Sequence, residues 1–174
     1  LSACGDSGII TTDDEKVHSK LTQIRNIGLK NRNESDILGF NSRLDEMQAS
    51  ILNVKLKYLR QWTEGRIAAA EKYRARLKEY AINGINHIPS DEEKEYAVYH
   101  TFILNVEERD KLAGFLEKNG IGTKIHYPIP IHRQKCLSYL NLNDESVPNS
   151  SSQAKHIISL PIYPELTDEH IDYV

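Results

Sequence analysis

Two short segments carry residue types whose spacing could hold a ligand. The first is Gly39-Phe40-Asn41-Ser42-Arg43-Leu44-Asp45, where a polar loop runs into an amphipathic stretch. The amide of Asn41 could donate to an anion there, aided by the field of a helix N-terminus. Its commoner role in such a place is a turn hydrogen bond, which short polar residues make routinely. Arg43 could meet a phosphate through two parallel bonds. It could as easily cover the helix start with its aliphatic stem or pair with Glu46.

The second segment is Lys124-Ile125-His126-Tyr127-Pro128-Ile129-Pro130-Ile131-His132. His126 and His132 stand six residues apart with two prolines between them, so they do not form the i, i+4 pair by which a helix binds zinc. Either the loop exposes His and Tyr side chains to a ligand, or its prolines merely stiffen a buried turn. Gly-rich phosphate loops, nucleophile elbows and paired-Cys metal motifs are absent from the sequence.

These residues need elements to position them. Thr12-Asp13-Asp14-Glu15 has the spacing of a capping box and opens a helix striped by Val17, Leu21 and Ile24, which Gly28 ends. A short β-branched run at 8–12 reads as a strand, and 29–39 as a loop. Ser42-Arg43-Leu44-Asp45 repeats the capping-box spacing. After it, Leu44, Met47, Ile51, Val54, Tyr58 and Trp62 recur at steps of three and four, and Ile67, Ala70, Tyr73, Leu77 and Tyr80 continue them. Only Gly65 interrupts, at a cost of roughly 1 kcal/mol relative to Ala. A continuous helix over 44–80 would extend about 55 Å, so it should bridge two subdomains or lie along a partner.

Farther on, Asn83-Gly84 and Pro89 mark a loop, and 96–106 is the best strand candidate, with Tyr99 assigned to core packing and His100 left open. Residues 109–118 read as a helix closed by Asn119-Gly120, and 121–125 as a second short strand. Residues 141–152 look like a loop, and 154–160 begins as a helix and ends at Pro161. The order strand, helix, strand implies a small α/β layer.

Composition narrows the classes. The chain has 174 residues, 39% apolar and 27% charged, with a net charge of -3. That balance gives no electrostatic bias toward nucleic acid or an anionic membrane, and no apolar run is long enough to span a bilayer. Two cysteines, Cys4 and Cys136, do not make a disulfide framework, so a reduced, cytoplasmic setting is expected. The first residues have no initiator Met and the last begin a helical pattern, so the chain is expected to be a fragment.

Taken together, Gly5-Asp6-Ser7-Gly8, Gly39 through Asp45, Gly122-Thr123-Lys124-Ile125-His126-Tyr127-Pro128 and Leu160-Pro161-Ile162-Tyr163-Pro164 resemble the DegT/DnrJ/EryC1/StrS family in order and spacing. The resemblance implies the C-terminal part of a fold-type I, pyridoxal-phosphate-dependent sugar aminotransferase, an α/β protein. Residues 1–43 would be the edge of the large domain, 44–82 a long linking helix, and 83–174 the small domain. Ser2 and Ser7 replace residues that are commonly Gly in the family.

The family's Schiff-base lysine would fall two positions before Leu1, so no catalytic residue is assigned here and the chain alone is expected to be inactive. By resemblance, Asn41 would bond the cofactor phosphate of the other subunit of a homodimer. His126, Tyr127 and His132 would line the sugar-nucleotide pocket, with Arg43 a further contact. The implied reaction moves an amino group from glutamate to a nucleotide-linked keto sugar, as in dTDP-3-keto-6-deoxyhexose amination for amino-sugar or polysaccharide synthesis. A noncatalytic module, with the 44–80 helix as an oligomer surface, is the alternative.

Overall fold

A computed structural model describes residues 2–174, so Leu1, which opens the resemblance, lies outside the described residues. The chain divides into two compact units, the first ending at Leu59 and the second running Arg60–Val174.

In the first unit, α1 spans Glu15–Ile24 and its N-cap is Asp14, not Thr12. The Asp14 carboxylate accepts from the backbone N–H groups of Lys16 at 2.7 Å and Val17 at 3.2 Å. A carboxylate satisfies these free donors and also complements the positive end of the helix. Thr12 instead accepts from the Asp14 N–H at 3.2 Å. The strand expected at 8–12 does not form: these residues are exposed and pair with no neighbouring backbone among the described residues.

After α1 the chain turns through Ile27 (φ 61°) and Gly28 (φ 73°). The 37–42 segment then returns along it. Phe40 N–H donates to Ile24 at 2.7 Å, Ile27 N–H to Phe40 at 2.9 Å, and Ser42 N–H to Arg25 at 2.9 Å. The approach is close enough to demand glycine twice. A Cβ on Gly28 would sit 1.7 Å from the Ile37 carbonyl oxygen, and one on Gly39 would sit 2.2 Å from the Gly28 nitrogen.

This tether also moves the next helix start. Because Ser42 is tied to the exit of α1, the capping box expected there does not form. Helix α2 begins three residues later, spans Glu46–Leu56, and has Asp45 as an N-cap without a side-chain bond. No residue of α2 is buried, and Met47 on its apolar stripe is 78% exposed.

The single helix expected over 44–80 is two helices. Helix α2 closes with bonds from Lys57 to Val54 and Tyr58 to Lys55, and α3 spans Leu59–Glu79. Gly65 does not interrupt α3. It clears space instead, since a Cβ there would meet Pro164 backbone at 3.0 Å.

In the second unit a three-stranded antiparallel sheet is ordered β1-β2-β3, with β1 at Ile85–His87, β2 at Phe102–Val106 and β3 at Ile157–Leu160. Strand β2 is shorter than the 96–106 expectation, because the chain at Tyr99 takes a left-handed φ of 47° that cannot continue a ladder. Its alternation buries Phe102, Leu104 and Val106 on one face. In register, Phe102 faces Leu160 and Leu104 faces Ile158. Strand β1 falls in the segment expected to be a loop.

Helix α4 spans Arg109–Lys118 as the periodicity predicts, and Gly120 at φ 76° ends it. The expected strand at 121–125 is reduced to one isolated bridge between Lys124 and Ser159. Helix α5, Pro148–His156, occupies part of the predicted 141–152 loop, with Pro148 at a helix start where its missing N–H costs nothing. Helix α6 spans Asp168–Tyr173 behind a Thr167 capping box.

The core joins Ala69, Ala70 and Tyr73 of α3 to the β2 and β3 side chains, Leu116 of α4 and Ile171 of α6. Tyr73 and Phe102 stack at 5.1 Å between ring centroids. Among the described residues, no helix is long and apolar enough to cross a membrane.

Candidate functional site

The first cluster lies in the unit that ends at Leu59. The return of 37–42 along the end of α1 fixes the backbone of Asn41, which bridges Asn26. Arg43 Nε donates to Asn41 Oδ1 at 3.0 Å. Of the three roles open to Arg43, the structure therefore shows a fourth: it orients the amide. With Oδ1 engaged, the Asn41 Nδ2 donors are uncommitted among the described residues, and both side chains are exposed just before the start of α2, which has no side-chain cap. Two adjacent donor groups beside free helix N–H groups suit an anionic oxygen.

Gln48, one turn into α2, was not singled out from sequence. Its Nε2 reaches the Asp6 carbonyl at 3.4 Å, while its Oε1 is buried without a hydrogen-bond partner among the described residues.

The second cluster is the 124–132 loop, in the unit that begins at Arg60. The sequence reading turns all three side chains toward a ligand, and the structure separates them. Tyr127 is 72% exposed, and its ring meets that of His126 edge-on at 5.5 Å. His126 is half-buried, with Nδ1 at 2.8 Å from the buried Ser159 hydroxyl. His132 is buried and has different partners. Its Nε2 lies 3.1 Å from Asp144 Oδ1 and 3.2 Å from Ser151 Oγ.

The His132 group is not a nucleophilic triad. Asp144 and Ser151 approach the same imidazole nitrogen, and the Ser151 hydroxyl donates to Asp144 at 2.9 Å. A working triad needs the two ring nitrogens engaged separately. Arg133 completes the group, with 2.9 Å and 2.8 Å contacts to the two Asp144 oxygens. The Arg133 guanidinium first, then His132 and Ser151, hold the Asp144 carboxyl far below the usual carboxylate range. The cluster ties residues 132 and 133 at the end of the loop to Asp144 and to Ser151 of α5.

Tyr99 is buried as expected; its hydroxyl donates to Asp91 and accepts from Arg74 at 2.6 Å, whereas His100 is exposed. A separate apolar groove of about 540 Å³, lined by residues such as Leu77, Leu112 and Phe115, contains none of the predicted site residues. Among the described residues, no group of three His, Cys, Asp or Glu side chains is placed to hold a metal ion.

Sequence reading passed over Ser159, Asp144 and Ser151. Only Ser159 carried a local signal, as the lone polar residue in Ile157-Ile158-Ser159-Leu160.

Comparison with known proteins covers the whole chain. A family model described as the DegT/DnrJ/EryC1/StrS aminotransferase family matches residues 1–174. A pleiotropic regulatory protein of Geobacillus stearothermophilus is 40% identical over 174 residues, which is 100% of this chain and 46% of that protein. The dTDP-3-amino-3,6-dideoxy-alpha-D-galactopyranose transaminase of Aneurinibacillus thermoaerophilus is 38% identical over 167 residues, 96% of this chain and 44% of that protein. The crystal structure of DesV from S. venezuelae superposes with a TM-score of 0.84 at 34% identity, covering 93% of this chain and 44% of that one. The chain thus spans less than half the length of these relatives.

Proposed function

The chain belongs to the DegT/DnrJ/EryC1/StrS aminotransferase family, and on that premise we propose that it serves as the C-terminal part of a pyridoxal-phosphate-dependent sugar aminotransferase. The substrate would be a keto-deoxy sugar carried on a nucleotide, dTDP above all, with glutamate as amino donor. A transaminase named for a dTDP-linked amino sugar among the relatives supports this class. In this reading residues 1–43 belong to the large domain, 44–82 link it to the small one, and 83–174 form the small domain.

Bound pyridoxal phosphate supplies the electron sink for moving an amino group. The residues of this chain that fit it are Asn41 and Arg43. The single observation carrying the proposal is that Arg43 takes the amide oxygen of Asn41, leaving an exposed N–H donor pair ahead of an uncapped helix. Such a donor set suits a phosphate, here that of the other subunit in a homodimer. The exposed apolar side chains of α2, Met47 and Val54 on one face and Leu56 on the opposite one, support an interface on that element. His126 and Tyr127 would contact the sugar nucleotide, and His132 would fix the loop that presents them. A cytoplasmic setting accords with the free, exposed Cys4 and Cys136.

The test is Asn41→Ala in the whole aminotransferase. Pyridoxal phosphate retained through dialysis should fall relative to the parent enzyme. Retention equal to the parent's removes Asn41 from the site.

A further inference from the structure

The imidazole of His126 is held at one end only. Its Nδ1 lies 2.8 Å from Ser159 Oγ, whereas its Nε2 has no hydrogen-bond partner among the described residues and is not a buried orphan, so it reaches solvent. What that free nitrogen can offer a ligand depends on where the ring proton sits. In a neutral imidazole one nitrogen donates and the other accepts, and the bond made by one decides the role of the other.

Ser159 decides it. On β3 the flanking Ile158 and Leu160 point into the core, so Ser159 faces the opposite side of the strand, toward the 124–126 segment. Its backbone is bonded to Lys124 in both directions, at 2.8 Å and 3.3 Å. The residue is 5% exposed, and its hydroxyl makes no other hydrogen bond among the described residues. If Nδ1 donated to Oγ, the hydroxyl hydrogen would be left buried with no acceptor. If the hydroxyl donates to Nδ1, every buried donor is satisfied. An unpaired buried donor is the costlier arrangement.

We propose that Ser159 is a positioning residue whose hydroxyl donates to His126 Nδ1, keeping the ring proton on Nε2 so that His126 presents an N–H donor to an oxygen of the nucleotide sugar. This rests on the reading of His126 as a ligand contact. His126 in this state is a neutral donor, able to recognise a hydroxyl, carbonyl or phosphate oxygen and unable to accept a proton at Nε2.

The tautomer is measurable on this chain without any ligand. Long-range proton–nitrogen correlation on the ¹⁵N-labelled chain, at about pH 8 where a free imidazole is neutral, should show Nε2 protonated and Nδ1 bare. A proton on Nδ1 overturns the proposal. Ser159→Ala should let the ring average between tautomers, and Ser159→Thr, which keeps the hydroxyl, should restore the single form. An unchanged spectrum in Ser159→Ala also overturns it.

In the whole aminotransferase, Ser159→Ala should raise KM for the nucleotide-linked keto sugar about tenfold, the effect of one well-placed hydrogen bond. Cofactor retention should stay as in the parent, and Ser159→Thr should recover KM. If His126→Ala raises KM but Ser159→Ala does not, the positioning role fails while the His126 contact stands. If His126→Ala itself leaves KM unchanged, the functional reading of the loop falls and the ligand half of this inference falls with it.

Discussion

Replacing Tyr73 with Phe removes one buried oxygen and leaves the ring stack on Phe102 in place, so its effect can be worked out by pH. The hydroxyl donates to the Pro161 carbonyl at 3.0 Å. Its loss should cost about 1 kcal/mol near neutrality. Burial first, then the nearby Tyr163, pushes the Tyr73 hydroxyl from an ordinary 10.0 up to about 12. The unfolded chain therefore loses this proton two pH units before the folded chain does.

Between those values the unfolded state binds fewer protons, so folding stability drops by about 1.4 kcal/mol per pH unit as pH rises. The Tyr73 contribution is whole below pH 10.0 and is eroded up to about 12. The Phe variant has no such group. At pH 8 the parent should be more stable by about 1 kcal/mol, and by about pH 11 the erosion should cancel that lead. Urea unfolding under reducing conditions would measure it, followed by circular dichroism and by the chain's one tryptophan, Trp62, which shares α3 with Tyr73. Two curves that keep a constant gap through pH 11 would refute the reasoning.

Other outcomes follow from the same geometry. Gly28→Ala should destabilise the first unit by roughly 3 kcal/mol, combining a left-handed backbone with a steric clash; faster hydrogen exchange at the Phe40 and Ser42 amides would report it, and protection equal to the parent's would contradict it. His132→Ala should lower Tm by removing a buried imidazole and its hydrogen bond to the half-exposed Asp144 carboxylate, and an unchanged Tm would argue that the cluster does not hold the loop. Because the Asp144 carboxyl is held below its usual range, the unfolded chain takes up its proton first on acidification. Its contribution is present above the ordinary 3.8 and is lost as pH falls below that value, so Asp144→Asn should flatten the acid limb of the stability profile. Pyridoxal phosphate added to this chain alone should leave no visible absorbance after dialysis; a band that survives dialysis and vanishes on borohydride would show a lysine here able to hold it.

What the sequence determined by itself was what depends on bonds a few residues long, together with the motifs that place the chain in its family. Helix α4 appears at Arg109–Lys118 with Gly120 ending it, because its periodicity and its stop signal are local. The turn at Gly28 was legible for the same reason. Tertiary structure decided the remainder, where groups distant in sequence compete for the same partners. Ser42 could not form the reciprocal half of a capping box once the Arg25 carbonyl had taken its N–H, and no window around Ser42 contains Arg25's claim.

The loop at 124–132 divides along the same line. Its prolines and imidazoles could be read from the chain as a stiff, polar segment. Which imidazole faces outward was set by Ser159, 33 residues from His126, and by Asp144 and Ser151, 12 and 19 residues from His132. Burial makes those distant hydroxyls and carboxylates compulsory partners, since a histidine withdrawn from water must find its hydrogen bonds wherever the folded chain has brought them.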